Sequence, residues 1–344
     1  MKIGIVNDVS MAVRVLSKVI EDSTNHHIIW HAYDGLEAVN KCAQQTPDLI
    51  LMDLLMPVMD GVTATQKIMH KNPCAILIVT SSVEKNLSLV YEAMGHGALD
   101  VVKTPTVGIE FLTEDRSDLL KKISTIEALL GYKIKKINKN EKKFPHIELR
   151  SSTIPLLVIG ASTGGPMSIA EILSKFPENS PFATVIIQHM DQEFTKGFAK
   201  WLGEHTKIKV EVAQEGKFPK KGCAYIAGQN KHLKLRSNGT FYYVEEPMEN
   251  PYKPSVDVFF ASVAMHWPGK FVATLLTGMG CDGAQGLKQL KDLGWHTIAE
   301  SKESCVIYGM PKVAVSIGAV SSILHLDLIA EEILSRIPNS YISG

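Results

Sequence analysis

The chain has 344 residues, 36 basic and 36 acidic, so its formal net charge is zero and no overall basic field argues for a nucleic-acid partner. The length favours two domains, each large enough to bury its own core. No run reaches the length of a membrane span, and the N-terminus lacks the basic-apolar-small layout of a signal peptide, so no membrane insertion is expected. The five cysteines, Cys42, Cys74, Cys223, Cys281 and Cys305, are scattered without C-x-x-C spacing and read as thiols of a cytoplasmic protein.

Apolar runs at Lys2–Asn7, His27–Ala32, Asp48–Met52, Ala75–Thr80 and Leu99–Val102 alternate with helix-periodic stretches at Met11–Glu21, Leu36–Gln44, Val62–Lys71 and Asn86–Gly95. Five such β/α units predict a parallel sheet covered on both faces, with ligands bound beyond the carboxyl ends of its strands. Asn7 and Asp8 follow the first strand, Asp53 the third, Thr80 and Ser81 the fourth and Lys103 the fifth. Two acids with room for carbonyl and water ligands suit a hard cation such as Mg2+. A carboxylate beside that ion can attack a phosphoryl group, while a lysine and a hydroxyl hold the transferred oxygens.

Asp8, Asp53 in MDLLMPVMDG, Thr80 and Lys103-Thr104-Pro105 resemble a two-component response-regulator receiver over residues 1–119. The resemblance implies a flavodoxin-like five-stranded fold, with a histidine kinase as phosphodonor and Asp53 as phosphoacceptor. It also implies Mg2+ held by Asp8, Asp53 and the Leu55 carbonyl, and phosphoryl contacts from Thr80 and Lys103. Asn7 stands where most receivers carry a second acid, and Asp100 replaces an aromatic residue often used as a switch.

Residues 120–150 read as a connector. Leu119, Leu120, Ile123, Ile126, Leu129 and Leu130 mark an amphipathic helix, and a lysine-rich segment from Lys133 to Lys143 follows. Without aromatic residues or a recognition helix, this segment reads as a solvated linker rather than a nucleic-acid contact.

A second α/β series over residues 151–344 begins with an apolar run that ends in Gly160-Ala161-Ser162-Thr163-Gly164-Gly165-Pro166 before a helical pattern. This is a strand, a tight glycine turn and a helix, with a serine at the bend. The N–H groups of such a turn favour developing negative charge, although a bare phosphate-binding turn is the alternative for this stretch alone. The run at Ala183–Ile187 leads to His189, and the run at Lys270–Leu276 leads to Asp282. In a parallel sheet the three strand ends share one edge. Ser162, His189 and Asp282 then have the chemistry of nucleophile, base and orienter. Their chain order differs from that of the α/β-hydrolases.

GASTGGP, IIQHM, PSVDVFFASVA, LLTGMGCDGAQG and ESCVIYGMPKVA resemble the catalytic domain of chemotaxis protein-glutamate methylesterases, in the expected order and behind a receiver. The resemblance implies a doubly wound α/β domain without a cofactor of its own, Ser162, His189 and Asp282 as its triad, and an oxyanion hole from the backbone N–H groups of Thr163 and Met279. The implied function is phosphorylation-regulated demethylation of glutamate methyl esters on methyl-accepting chemoreceptors, with deamidation of particular glutamines. A non-catalytic receiver adaptor and a hydrolase of small esters are the rival readings. Lys253 stands where arginine is common, Glu300-Ser301 replaces Gln-Asp, and the loop from Ala227 departs from the usual A-P-G, leaving His232 expected on a surface loop.

Overall fold

The computed structural model of the protein describes residues 1–82, 84–105, 113–130, 154–248, 250 and 252–337. The lysine-rich segment read as a linker lies outside them. The chain divides into two compact units, Met1–Tyr132 and Lys133–Gly344.

The first unit runs β1 (Lys2–Val6), α1 (Ser10–Ser23), β2 (His27–Ala32), α2 (Gly35–Gln44), β3 (Leu49–Met52) and α3 (Gly61–Lys71). It continues through β4 (Ala75–Thr80), α4 (Leu87–Gly95), β5 (Asp100–Lys103) and α5 (Thr113–Leu130). The strands form one parallel sheet in the order β2-β1-β3-β4-β5, the flavodoxin-like arrangement. β3 and β4 are buried at every position, which is why they read as unbroken apolar runs. Helix α5 crosses the position where the sequence suggests a boundary. Its Leu119, Ile123 and Ile126 pack with Ile3, Ile5, Leu49, Leu51 and Leu77 in this unit's core.

The second unit opens with β6 (Leu156–Ala161), α6 (Gly165–Ser174), β7 (Ala183–Gln188), α7 (Gln192–Glu204), β8 (Lys209–Val212) and β9 (Cys223–Ile226). A hairpin of β10 (His232–Leu235) and β11 (Phe241–Val244) precedes α8 (Val256–His266), β12 (Val272–Leu275) and α9 (Ala284–Asp292). β13 (His296–Glu300), α10 (Met310–Ser316), β14 (Ser322–Leu324) and α11 (Leu326–Ser335) complete it. Seven strands pair in the order β14-β13-β12-β6-β7-β9-β8, every pair parallel. The connection reverses direction between β6 and β12, and such a switch point opens a crevice at the strand ends. Phe259, Phe260 and Val263 of α8 share this unit's core with Val158, Val185, Leu275 and Leu287. Among the described residues no helix is long and apolar enough to cross a membrane.

Candidate active site

β6 delivers Ser162 to the switch point. Gly164 caps α6 with φ +81°, and a side chain there would also meet Val306 Cβ at 2.7 Å, so glycine is required twice over. Pro166 in the first turn then fixes the helix start. The turn is tied to β12, with the Ser162 N–H donating to the Thr277 carbonyl (3.0 Å) and the Thr277 hydroxyl donating to the Thr163 carbonyl (2.9 Å). The two predicted oxyanion donors, the N–H groups of Thr163 and Met279, make no hydrogen bond among the described residues, so both can turn to a ligand. The Met279 loop approaches closely because Gly278 has no side chain. A Cβ there would lie 2.7 Å from Ser162 Cβ and 2.4 Å from Met310 Sδ.

His189 follows β7, and its N–H donates to the Ala161 carbonyl, one residue before Ser162. The parallel ladder between β6 and β7 therefore sets His189 beside the Ser162 turn. Gln188 helps hold the pair, its side-chain amide donating to the Ser162 carbonyl at 2.9 Å. His189 Nε2 lies 2.8 Å from Asp282 Oδ2, and the Asp282 side chain is only 3% exposed. Asp282 also accepts from the Ser255 hydroxyl (2.8 Å), the Val256 N–H (2.7 Å) and the Asp257 N–H (3.1 Å). Burial pushes the Asp282 pKa up, but the His189 hydrogen bond and charge and the two backbone donors outweigh it, leaving the carboxyl below its usual range. An ionised Asp282 only accepts, so Nε2 carries the proton. Nδ1, buried and without a partner among the described residues, is left to receive one.

In the first unit, Asn7, Asp8, Asp53, Thr80 and Lys103 all stand at strand ends as the sequence predicts. Asn7 is buried. Its amide nitrogen donates to Asp53 Oδ2 (3.1 Å) and its oxygen accepts from the Val9 N–H (2.9 Å). Asp53 accepts from the Leu54 N–H as well (2.8 Å). Burial, and then the charge of Asp8, push the Asp53 pKa up to about 6 against the Leu54 and Leu55 N–H groups. A cation between the two acids relieves both causes. The donor set of Asp8, Asp53 and the Leu55 carbonyl thus suits Mg2+, while Asn7 is engaged with its neighbours. Thr80 is buried and accepts from the Asn86 amide (3.0 Å), and Lys103 pairs in register beside it on β5. Asp100 is held by Lys122 of α5 at 2.8 Å, which ties the start of β5 to the first unit's own last helix.

A family model described as CheB methylesterase matches residues 157–333, and one described as response regulator receiver domain matches residues 3–124. The chain belongs to the CheB methylesterase family. It is 47% identical to the protein-glutamate methylesterase/protein-glutamine glutaminase 1 of Pseudomonas fluorescens, over 97% of this chain and 98% of the relative. The corresponding protein of Mesorhizobium japonicum is 46% identical over 99% of this chain and 100% of its own length. Among solved structures, the Thermotoga maritima CheB methylesterase catalytic domain is 36% identical, with TM-score 0.52, covering 54% of this chain and 99% of that one. As a member of the CheB methylesterase family with a receiver in the same chain, the protein is a hydrolase with a phospho-signalling domain.

Several residues around the CheB site escape the sequence reading. Ser255 is the N-cap of α8, accepting from the Val258 N–H (3.3 Å). That the same hydroxyl donates to Asp282 depends on where β12 ends. Glu300, in place of the usual Gln, is fully buried and accepts from the Thr277 N–H (2.8 Å), bracing the loop that carries Met279. Burial raises its pKa. His232 is a correction. It is not on a surface loop but lies fully buried on β10, its Nε2 3.3 Å from the Pro247 carbonyl, and burial lowers its pKa. The hairpin that buries it follows no pattern of the main sheet.

Proposed function

We propose that the chain hydrolyses methyl esters of glutamyl side chains on chemoreceptors through an acyl-enzyme on Ser162, with His189 as base and Asp282 as orienter. The observation that carries the reading is the His189–Asp282 contact of 2.8 Å, held at the strand end next to the Ser162 turn by the Ser255, Val256 and Asp257 donors. Ser162 Oγ attacks the ester carbonyl carbon as its proton passes to His189 Nδ1. The N–H groups of Thr163 and Met279 take the oxyanion, and Asp282 stabilises the imidazolium. Collapse breaks the bond to the methoxy oxygen, which leaves as methanol with the proton from His189. Water then gives a proton to His189 and attacks the acyl carbon. Breaking the Ser162 ester regenerates the hydroxyl with that proton and releases the glutamic acid side chain, which gives its remaining proton to solvent to become the carboxylate. A glutamine side chain follows the same course with ammonia leaving, the deamidase reaction in the relatives' names.

Control is assigned to the receiver. Asp53 accepts a phosphoryl group from a histidine kinase, with Thr80 and Lys103 contacting its oxygens. Asp8, Asp53 and the Leu55 carbonyl would hold Mg2+, which neutralises charge on the phosphoryl oxygens when bound. The division of labour is a receiver running from residue 1 through helix α5, a connector after it and a catalytic domain from residue 151 to 344, in a cytoplasmic enzyme. Methanol release from a methylated chemoreceptor fragment, with and without a small-molecule phosphodonor and Mg2+, tests both halves. Release is expected to vanish in Ser162→Ala and to lose its response to phosphodonor in Asp53→Ala. Phosphoryl uptake at Asp53 without methanol release from any receptor would instead identify a signalling adaptor.

A further inference from the structure

The segment before α8 does more than supply donors to Asp282. The Tyr252 ring lies flat on the His189 imidazole, with centroids 4.2 Å apart and planes 9° from parallel. The other edge of the same side chain rests on the Met279 loop, since a Cβ on Gly280 would sit 2.4 Å from the Tyr252 hydroxyl oxygen. Tyr252 is itself fixed locally, its N–H donating to the Asn250 side-chain oxygen at 2.9 Å. Three residues further on, Ser255 begins the run of donors to Asp282. One short stretch thus touches the base, its orienter and the loop that carries an oxyanion donor.

We propose that Tyr252 is a positioning residue for His189. Its ring face fixes the imidazole plane, so that Nε2 meets Asp282 while Nδ1 is presented for proton transfer. The same face attracts the positive charge that the imidazole gains in the transition state, as aromatic faces attract cations generally. The phenol is not required for this, and a phenyl ring of the same shape serves. The ring acts on a charge present only during the reaction, so its loss falls on kcat and leaves KM in place. The inference rests on the triad roles proposed above for Ser162, His189 and Asp282.

The test uses the full-length chain and a methylated receptor fragment, comparing wild type with Tyr252→Phe, Tyr252→Leu and Ser162→Ala. Offset aromatic pairs and their loss correspond to about three- to tenfold in rate. Tyr252→Leu is therefore expected to lower kcat by that factor with KM within about twofold, while Tyr252→Phe stays within about twofold in both. A readout independent of turnover is the His189 ring-proton resonance, assigned by its absence in His189→Gln. A face-stacked aromatic ring shifts it upfield in wild type and Tyr252→Phe, and the shift is lost in Tyr252→Leu, with the thermal midpoint as a check on folding. Full kcat in Tyr252→Leu beside an inactive Ser162→Ala overturns the role of Tyr252 and leaves the triad standing. A raised KM with unchanged kcat overturns it as well, making the tyrosine a substrate contact. An active Ser162→Ala overturns the triad and the proposal together.

Discussion

Replacing Asp282 by asparagine keeps the shape of the side chain and removes one of two acceptor oxygens. Wild-type Oδ2 serves the Val256 N–H and His189 Nε2, and Oδ1 serves the Ser255 hydroxyl and the Asp257 N–H. If the asparagine oxygen takes the Oδ2 place, its NH2 group faces the Asp257 N–H, donor against donor, while the Ser255 hydroxyl can rotate to accept. If the oxygen takes the Oδ1 place, the NH2 group faces both the Val256 N–H and His189 Nε2. The histidine then has to carry its proton on Nδ1, where it cannot take one from Ser162. Either way one buried backbone N–H is orphaned, at a cost of about 1–3 kcal/mol. An opposing gain comes from Asp257, whose pKa burial and the Asp282 charge push up to about 8, because the substitution removes that charge. The expected net loss of stability is thus about 1–2 kcal/mol, read as a lower urea midpoint for the second unit. The rate should fall by about 10³–10⁴-fold, the size of a triad held in the wrong tautomer or left without its anion. Steady-state methanol release gives the rate, and nitrogen chemical shifts of His189 identify the tautomer. A folded Asp282→Asn protein within tenfold of wild-type kcat would show that neither the Asp282 charge nor the Nε2–H tautomer is needed.

Other outcomes follow from the same contacts. Ser255→Ala removes both the cap of α8 and a donor to Asp282. It should cost about 1–2 kcal/mol in urea unfolding and about tenfold in kcat, and an unchanged midpoint would count against the cap. Gly278→Ala drives a methyl against Ser162 Cβ and Met310 Sδ, whereas Gly318→Ala, at φ +70° with open space around it, meets only backbone strain. We expect Gly278→Ala to lose at least about 100-fold in kcat and Gly318→Ala to keep full activity with a stability loss of about 1 kcal/mol. Equal activities would show that the loop does not need its close approach. Asp53, raised from 3.8 to about 6, binds its proton more tightly folded than unfolded. Its contribution is complete below pH 3.8 and is lost as pH rises through about 6, by at most about 3 kcal/mol and less after solvent screening. Asp53→Asn should therefore slow hydrogen exchange in β1, β3 and β4 at pH 7.5, with the gain vanishing towards pH 4. Mg2+ should protect those strands in wild type far more than in the variant. Faster exchange in Asp53→Asn at pH 7.5 would reverse the sign of the argument.

The sheets are legible in the sequence because buried parallel strands are unbroken apolar runs, as at Ala75–Thr80 and Ala183–Gln188. The boundaries slip by a residue where polar groups begin. β1 stops at Val6 because Asn7 turns its side chain to Asp53 and Val9, and β5 starts at Asp100 and includes Lys103. The meeting of Ser162, His189 and Asp282 at one edge is legible because a parallel sheet brings strand ends together whatever their separation in the chain. Tyr252, Ser255 and Glu300 are not legible in the same way. Their roles come from what lies across the crevice, and neither period nor spacing encodes that. The apolar stripe of α5 raises the same difficulty, since Leu119, Ile123 and Ile126 give an amphipathic pattern that fits a connector as well as a core helix. Only packing against β1, β3 and β4 decides it. His232 reads as a loop residue for want of any sign that β10 and β11 pair over it.

The most direct measurement is acid quenching of the enzyme during turnover of a methylated glutamyl substrate, followed by peptide mapping by mass spectrometry. A glutamyl acyl group is expected on Ser162, formed as methanol is released and absent from Ser162→Ala. Methanol release at full rate with no acyl group on Ser162, or with one on another side chain, would contradict Ser162 as the nucleophile.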